Sequence, residues 1–279
     1  MNNNILRAAM VWLLWLTIAF TVKADENGEP LWEFGVGAVF GSIPDYPAAD
    51  ENTFRALGFP FGIYRGEFLR ADRDSVRGRF LETSRYELDV TLSAAFPVDS
   101  DNNAARRGMP DLDLLLGIGP QLKVKLIDEP DAQLLNLNLQ LRAVFSTDFS
   151  SIDERGFVFN PRLSYRRSDI TPLKLRFRAF GGPVWATERL MDYFYEVDPE
   201  FALSDRPAFG ADAGYLGSNF SFAVSRSFTR SVRVFVGAGI GVYSGAANQD
   251  SPLYRDELTV SVFSGFVWSI WKSKELVRD

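Results

Sequence analysis

Residues 107–126 read RGMPDLDLLLGIGPQLKVKL and alternate between apolar and polar side chains. From residue 112 onward every even-numbered position but one is aliphatic: Leu112, Leu114, Leu116, Ile118, Leu122, Val124 and Leu126. The odd-numbered positions carry mostly aspartate, glycine, glutamine and lysine. A repeat of two residues is the period of a β-strand whose two faces meet different surroundings. The stretch therefore predicts a strand, and the fold depends on whether its aliphatic face meets a protein core or lipid.

The same period recurs along most of the chain and predicts twelve strands. The longer alternating runs are 31–41, 84–98, 112–126, 132–147, 156–167, 172–187, 208–228, 231–245 and 257–271. Three short strands, at 55–64, 67–72 and 75–82, complete the count, and a count of ten results if the pieces of 55–97 are fused. The alternation slips near Gly217, which predicts a β-bulge. Bulges are also expected at Pro120 and Pro183, because proline donates no ladder hydrogen bond.

The connectors between these strands alternate in length. The long ones are 42–54, 98–110, 148–155, 188–207 and 247–256. The short ones are 65–66, 83, 128–131, 168–171 and 229–230. In an up-and-down meander, all five long connectors fall at one end, and only the turn near 72–74 breaks the rule. This asymmetry is typical of transmembrane β-barrels, which have short periplasmic turns and longer outer loops.

A secreted soluble β-sandwich or lipocalin-like barrel would also alternate, but three features favour a membrane barrel. Several runs are longer than the usual strand of about 5–6 residues in soluble proteins. The polar faces carry charged residues along whole strands. Aromatic residues stand at both ends of the apolar faces, as in interfacial girdles: Trp32 with Phe40, Tyr86 with Phe96, and Phe157 with Tyr165. We therefore predict an all-β, transmembrane antiparallel up-and-down barrel whose leucine strip faces outer-membrane lipid.

Composition excludes several kinds of chemistry. The chain has 279 residues, a net charge of −6, and neither cysteine nor histidine. The acidic balance without a basic run argues against a nucleic-acid partner. The lack of histidine argues against the hydrolases and acyltransferases known among outer-membrane barrels, which need a histidine for proton transfer. The carboxylates of Asp101, Asp111 and Asp113 are interpreted as a solvated loop rim, since a metal or glycosidase site would need more converging oxygens. We expect no enzyme activity and no cofactor.

Both ends of the chain carry targeting patterns. Arg7 precedes a mostly apolar stretch at 8–20, and Ala24 provides a small residue for cleavage, so 1–24 is predicted to be a secretory signal peptide. The mature barrel domain would then span 25–279 in the cell outer membrane. In the last strand, Gly265, Trp268 and Ile270 fit the Gly-x-x-aromatic-x-hydrophobic pattern of substrates of the outer-membrane assembly machinery, although residues follow it.

Several stretches resemble the MipA/OmpV family of outer-membrane proteins. They are SIPDYP at 42–47, FPF at 59–61, DNNAARRGMPDLD at 101–113, GP at 119–120, YFYEV at 193–197 and DSPL at 250–253. Phe194, Glu196 and the tail after Trp271 depart from the family pattern. The resemblance implies an outer-membrane barrel without a catalytic motif. It also implies a scaffold that joins a lytic transglycosylase to a penicillin-binding protein, or a role in envelope stress.

A basic cluster is expected to line the periplasmic half of the lumen, at the level of Glu87 and Asp89. Its members are Lys123, Lys125, Arg166, Lys174, Arg176, Arg178 and Arg233. One interpretation is a vestibule that attracts anions or docks an acidic partner. The other is an interior filled by salt bridges, as in many small barrels. Two functions follow as hypotheses: a scaffold, or a narrow pore for small anionic solutes.

Overall fold

A computed structural model describes residues 29–65, 69–71, 76–129, 133–168, 170 and 172–277. The predicted signal peptide at 1–24 lies outside these residues. The strands are β1 (Glu29–Pro30), β2 (Trp32–Pro44), β3 (Asn52–Arg65), β4 (Leu69–Ala71), β5 (Val76–Glu82), β6 (Tyr86–Ala95), β7 (Leu114–Glu129), β8 (Gln133–Thr147), β9 (Ile152–Arg167), β10 (Arg176–Ala186), β11 (Gly214–Ser227), β12 (Val232–Val242), β13 (Leu258–Lys272) and β14 (Leu276–Val277). Among the residues given above, the connectors contain one helix, α1 (Glu188–Tyr195), and two short 3₁₀ turns, Ser100–Asn102 and Pro199–Phe201.

Strands β2 to β13 form a closed antiparallel barrel of twelve strands. Each strand pairs with the next in the chain, and β13 pairs with β2 to close the ring. The up-and-down barrel predicted from the alternation is therefore confirmed, with the larger of the two strand counts. The short strands β1 and β14 pair with each other and continue the β2–β13 seam beyond the barrel.

The exposure of side chains on each strand shows whether the aliphatic face of residues 107–126 meets a protein core or lipid. In β6, Leu88 and Leu92 are exposed, whereas Asp89 between them is only 1% exposed. In β7, Leu116 and Ile118 are exposed, and Gln121 is buried. A soluble protein would bury the leucines and expose the aspartate. The aliphatic face is therefore the outer, lipid-facing surface, and the polar face lines the interior.

The bulge predicted near Gly217 is confirmed, but the one predicted at Pro120 is wrong. The β10–β11 register shifts between Val184 and Trp185, opposite Gly217, so a shift also lies beside Pro183. The register of β7 against both neighbours continues unshifted past Pro120. The backbone hydrogen bonding of β7 thus accommodates the missing N–H of Pro120 without an inserted residue. A shift occurs instead farther along β7, next to Lys125.

The connectors differ from expectation in several places; strand β11, for example, begins at Gly214 and not at residue 208. The segment predicted as the long loop 188–207 begins with α1, because its apolar residues recur on one helical face that packs inward. Strand β9 begins at Ile152, not at residue 156, because it continues past a register shift against β8. Strand β10 begins at Arg176, not at residue 172, since Lys174 adopts a positive φ of 52° in the preceding turn. None of the described helices has the length and apolarity needed to cross a membrane.

Candidate functional site: the loop cap and the barrel interior

The long connectors pack together across one mouth of the barrel. We call this packed layer, formed by residues 45–51, 96–113, 187–213 and 243–257, the loop cap. Its apolar core includes Tyr46, Met191, Tyr195 and Leu253, each at most 3% exposed. The same core takes in inward-facing residues from the strand ends beneath it: Leu115, Val144, Val158, Val184 and Leu216. The loop cap therefore sits on the barrel mouth and shares a core with it.

Hydrogen bonds between loops from different parts of the ring hold the loop cap together. The Tyr46 hydroxyl donates to the carbonyl oxygen of Leu253 at 2.9 Å. The Tyr195 hydroxyl donates to the carbonyl oxygen of Pro47 at 3.0 Å, and Ser251 Oγ donates to the carbonyl oxygen of Tyr195 at 2.7 Å. The β2–β3, β10–β11 and β12–β13 connectors are thus joined over the mouth.

Two buried arginines tie the β6–β7 connector to the β10–β11 connector. Arg106, which is 3% exposed, donates to Ser100 Oγ at 3.2 Å, the carbonyl oxygen of Pro110 at 3.1 Å and that of Phe194 at 3.3 Å. Arg206 donates to the carbonyl oxygens of Ala105, Arg107 and Phe201 at 2.8–3.0 Å. A buried cation is stable only when its donors are satisfied, so these carbonyls fix the loop conformations.

The loop cap was not foreseen from the sequence, yet it gathers the stretches on which the family resemblance rests. Residues 42–47, 101–113, 193–197 and 250–253 meet there through the contacts above. Asn103 adds a link by donating to Asp45 Oδ2 at 3.0 Å. The signal that could have revealed the loop cap was the placement of four motif stretches in four separate connectors. Most of the stretches that resemble the family therefore lie in this layer and contact one another there.

Burial shifts the ionisation of groups in the loop cap. Burial raises the pKa of the Tyr46 and Tyr195 hydroxyls above the ordinary range, and it lowers the pKa of the Arg106 guanidinium. Burial likewise raises the pKa of Asp113. The predicted carboxylate rim is thus partly structural: Asp111 Oδ1 accepts a hydrogen bond from the backbone N–H of Ser100 at 2.8 Å.

Below the loop cap, a polar ladder crosses the interior faces of β6, β7 and β8. Lys123 Nζ lies 3.2 Å from Glu87 Oε1 and 3.3 Å from Asp89 Oδ2. Gln121 donates to Asp89 at 2.8 Å and accepts a hydrogen bond from Gln140. Glu87 and Lys123 are direct neighbours in the β6–β7 register, so the strand pairing itself sets the ion pair.

The predicted basic cluster is only partly assembled. Lys123 pairs with the acidic residues as described, and Lys125 pairs with Asp128 at 3.4 Å. Arg166 and Arg178 are directly opposite each other across β9 and β10. Of the remaining members, Arg176 lies exposed at the start of β10, on the same face as Arg178 and two residues from it, Lys174 is exposed in the preceding turn, and Arg233 is on β12. Lys123 and Lys125 therefore fit the interpretation in which salt bridges neutralise the interior.

The proposed assembly signal lies on β13, the strand that closes the ring. Trp268 and Ile270 are 49% and 60% exposed on the outer face. Gly265 faces inward, where an added Cβ would lie 2.5 Å from a ring carbon of Phe235. Recognition of these residues by an assembly machinery remains a prediction.

The chain is similar to several solved structures, all at low sequence identity. The comparison with curated sequences returned no match. Among solved structures, the chain is similar to the crystal structure of an outer-membrane channel from Pseudomonas putida F1, with 12% identity and a TM-score of 0.46, over 89% of this chain and 99% of that one. It is also similar to a bacterial polysaccharide outer-membrane secretin, with 6% identity and a TM-score of 0.40, over 87% and 99% of the two chains. A third is the Pseudomonas putida toluene transporter TodX, with 8% identity and a TM-score of 0.29, over 89% and 69%.

The family comparison is decisive. The model of the family described as MltA-interacting protein MipA matches residues 36–270. That range runs from β2 to β13 and includes every connector of the loop cap. The chain therefore belongs to the MltA-interacting protein (MipA) family, as an outer-membrane β-barrel.

Proposed function

We propose that this barrel is a non-enzymatic scaffold of the outer membrane, which holds a lytic transglycosylase near a penicillin-binding protein that synthesises murein. The family description, MltA-interacting protein, supports a transglycosylase partner. The observation that carries the proposal is the loop cap, whose packed core and cross-linked connectors occupy one mouth. A barrel so covered is better suited to presenting a surface than to steady conduction.

The end opposite the loop cap is the face that a periplasmic partner would meet, since short turns are periplasmic in such barrels. Its rim is rich in exposed basic side chains: Arg85, Arg167, Lys174, Arg176, Arg230 and Lys274. Exposed acidic residues there include Asp128, Glu129 and Glu275. Among the described residues of this rim, exposed basic side chains outnumber exposed acidic ones, which favours docking of an acidic protein surface.

Co-purification tests the scaffold. The tagged barrel, isolated from solubilised envelope, should retain a lytic transglycosylase identified by mass spectrometry. Reversing charge at the rim with Arg167→Glu, Arg176→Glu and Arg230→Glu should reduce this retention several-fold. Arg107→Glu is the matched control, because Arg107 is an exposed arginine of the loop cap. Loss of retention in the control alone, or no transglycosylase with the wild type, would contradict the proposal.

A narrow pore for small anionic solutes is the second candidate, favoured by the opposed pair Arg166 and Arg178 on the interior faces of β9 and β10. Purified protein in a planar bilayer distinguishes the two. The scaffold predicts a silent bilayer. The pore predicts steady anion-selective steps, whose selectivity inverts with Arg176→Glu and Arg178→Glu because fixed charges act strongly in a narrow lumen.

A further inference from the structure

The interior of the barrel has two unlike walls. The polar wall, on β6 to β9, carries the ladder from Glu87 to Arg142. On the far side, β2, β3, β12 and β13 direct apolar side chains inward, as their register shows. We call this set the aromatic wall: Val39, Leu57, Phe59, Phe61, Phe235 and Phe263. If salt bridges alone filled the interior, these positions would carry polar residues.

The rings of the aromatic wall lie against glycines of the neighbouring strands. An added Cβ on Gly37 would lie 2.6 Å from a ring carbon of Phe59, and one on Gly237 would lie 2.5 Å from a ring carbon of Phe263. Such distances are possible only when the ring covers the bare backbone of the glycine. The rings are therefore held close to the wall.

Two inward-facing apolar side chains are open to the lumen. Leu57 is opposite Val39 in the register and is 46% exposed, although it faces away from lipid. Phe180 of β10 is opposite the inward-facing Ser164 and is 41% exposed. Apolar surface exposed to water in a confined space is the usual character of a small-molecule site.

Arg142 provides a cationic group on the opposite wall. Its Nη1 donates to Gln140 Oε1 at 2.6 Å, and its Nε has no hydrogen-bond partner among the described residues. No described carboxylate lies within ion-pair distance of it. The guanidinium of Arg162, 4.7 Å from the centre of the Phe180 ring, lies between the polar strands and the apolar surface. A ligand could therefore span from cation to ring.

We propose that the lumen binds a small amphiphilic carboxylate, with its acid group on Arg142 and its apolar body on the aromatic wall. A guanidinium recognises a carboxylate through paired N–H donors. The half-buried rings of the aromatic wall and the exposed Leu57 would remove the apolar body from water, which is favourable. A simple inorganic anion would leave the aromatic wall unused, and a purely apolar compound would leave Arg142 unused. The ligand enters from the turn end, because the loop cap occupies the other mouth.

Fluorine NMR with para-trifluoromethylbenzoate tests the proposal, with the protein in lipid nanodiscs and empty nanodiscs as the blank. Saturable binding should appear only with protein. The corresponding benzyl alcohol, which has the same ring and no charge, should bind at least about tenfold more weakly, the factor expected from losing one hydrogen bond to a charged group. Equal binding of both compounds, or binding equal to the blank, would overturn the proposal.

Variants locate the site. Arg142→Gln should weaken carboxylate binding by about tenfold, whereas Arg226→Gln on the outer face should leave it unchanged. Leu57→Trp adds bulk to an already open position and should also weaken binding, whereas Val262→Trp on the lipid face should not. Heat-modifiable gel mobility confirms folding, and Leu57→Trp decides the matter if Arg142→Gln fails to fold. Wild-type affinity in both lumen variants would refute the site, and retention of a protein partner would be unaffected either way.

Discussion

Arg106 in the β6–β7 connector donates a hydrogen bond across the barrel mouth to the carbonyl oxygen of Phe194 in α1, at 3.3 Å. Four strands separate these connectors around the ring, so the bond spans the opening. The Arg206 guanidinium reinforces the link from the other side by donating to the carbonyl oxygens of Ala105 and Arg107. The connectors therefore behave as one folded layer.

Arg106→Ala should loosen the loop cap by about 2–4 kcal/mol, because it removes charged hydrogen bonds and leaves buried carbonyls without donors. Limited proteolysis of the folded barrel would show faster cleavage within residues 96–113. Arg107→Ala is the matched control, since the side chain of Arg107 is exposed. Equal cleavage of both variants would mean that the buried contacts do not hold the layer.

Alkaline pH should also weaken the loop cap. Burial raises the pKa of Tyr46 and Tyr195, so the folded state keeps both phenols protonated while the unfolded state ionises near pH 10. Their contribution to stability is present below about pH 10 and is lost as the pH rises further, because the unfolded state then binds fewer protons. The midpoint of thermal unfolding should fall above that pH.

Tyr46→Phe provides the control for this pH dependence. It should cost about 1 kcal/mol at neutral pH, since it removes the bond to Leu253. Its unfolding midpoint should then fall less steeply than that of the wild type at high pH. An identical alkaline slope in wild type and Tyr46→Phe would rule out this tyrosine as a source.

The barrel could be predicted from the sequence because strand pairing preserves the period of two. Leu88 and Leu122 are even-numbered in their own strands and are directly opposite each other in the register. Local alternation therefore determines which face meets lipid. Strand ends were less predictable, as Lys174 shows, because a turn with positive φ has no apolar signature.

The loop cap could not be derived in the same way. Tyr195 and Pro47 are 148 positions apart, and no periodic pattern links them. The buried state of Arg106 depends on carbonyl oxygens supplied by other loops, which composition does not reveal. The aromatic wall was not predicted for another reason. Phe235 and Phe263 lie among glycines and serines on the strand faces that were interpreted as polar.

Membrane orientation can be tested by cysteine labelling, since the chain has no cysteine of its own. Leu203→Cys and Phe149→Cys lie at exposed positions of the loop end, with the native side chains 57% and 89% exposed. They should react with an impermeant reagent on whole cells. Glu129→Cys, at the turn end, should react only after the envelope is permeabilised. The reverse pattern would invert the topology.

The assignment of strand faces to lipid or to the lumen can be tested with two aliphatic residues of similar exposure. Val236 is 57% exposed on the outer face of β12, and Leu57 is 46% exposed to the lumen. Val236→Arg should cost about 2–4 kcal/mol because it places a charge against lipid, whereas Leu57→Arg should cost little. Refolding from urea, followed by heat-modifiable mobility, measures both. Equal losses would mean that the two faces meet the same solvent.

The ion pairs of Lys123 provide the most direct test of the polar wall. Lys123→Met leaves Glu87 and Asp89 close together in a mostly buried site without their shared cation. Removing one partner of a buried pair typically costs about 3–5 kcal/mol, mainly because the remaining charge is uncompensated. Adding Glu87→Gln and Asp89→Asn to the same variant should restore most of the loss. Urea unfolding of the single and triple variants gives the comparison. If the triple variant were no more stable than Lys123→Met, packing by the lysine chain rather than its charge would account for the effect.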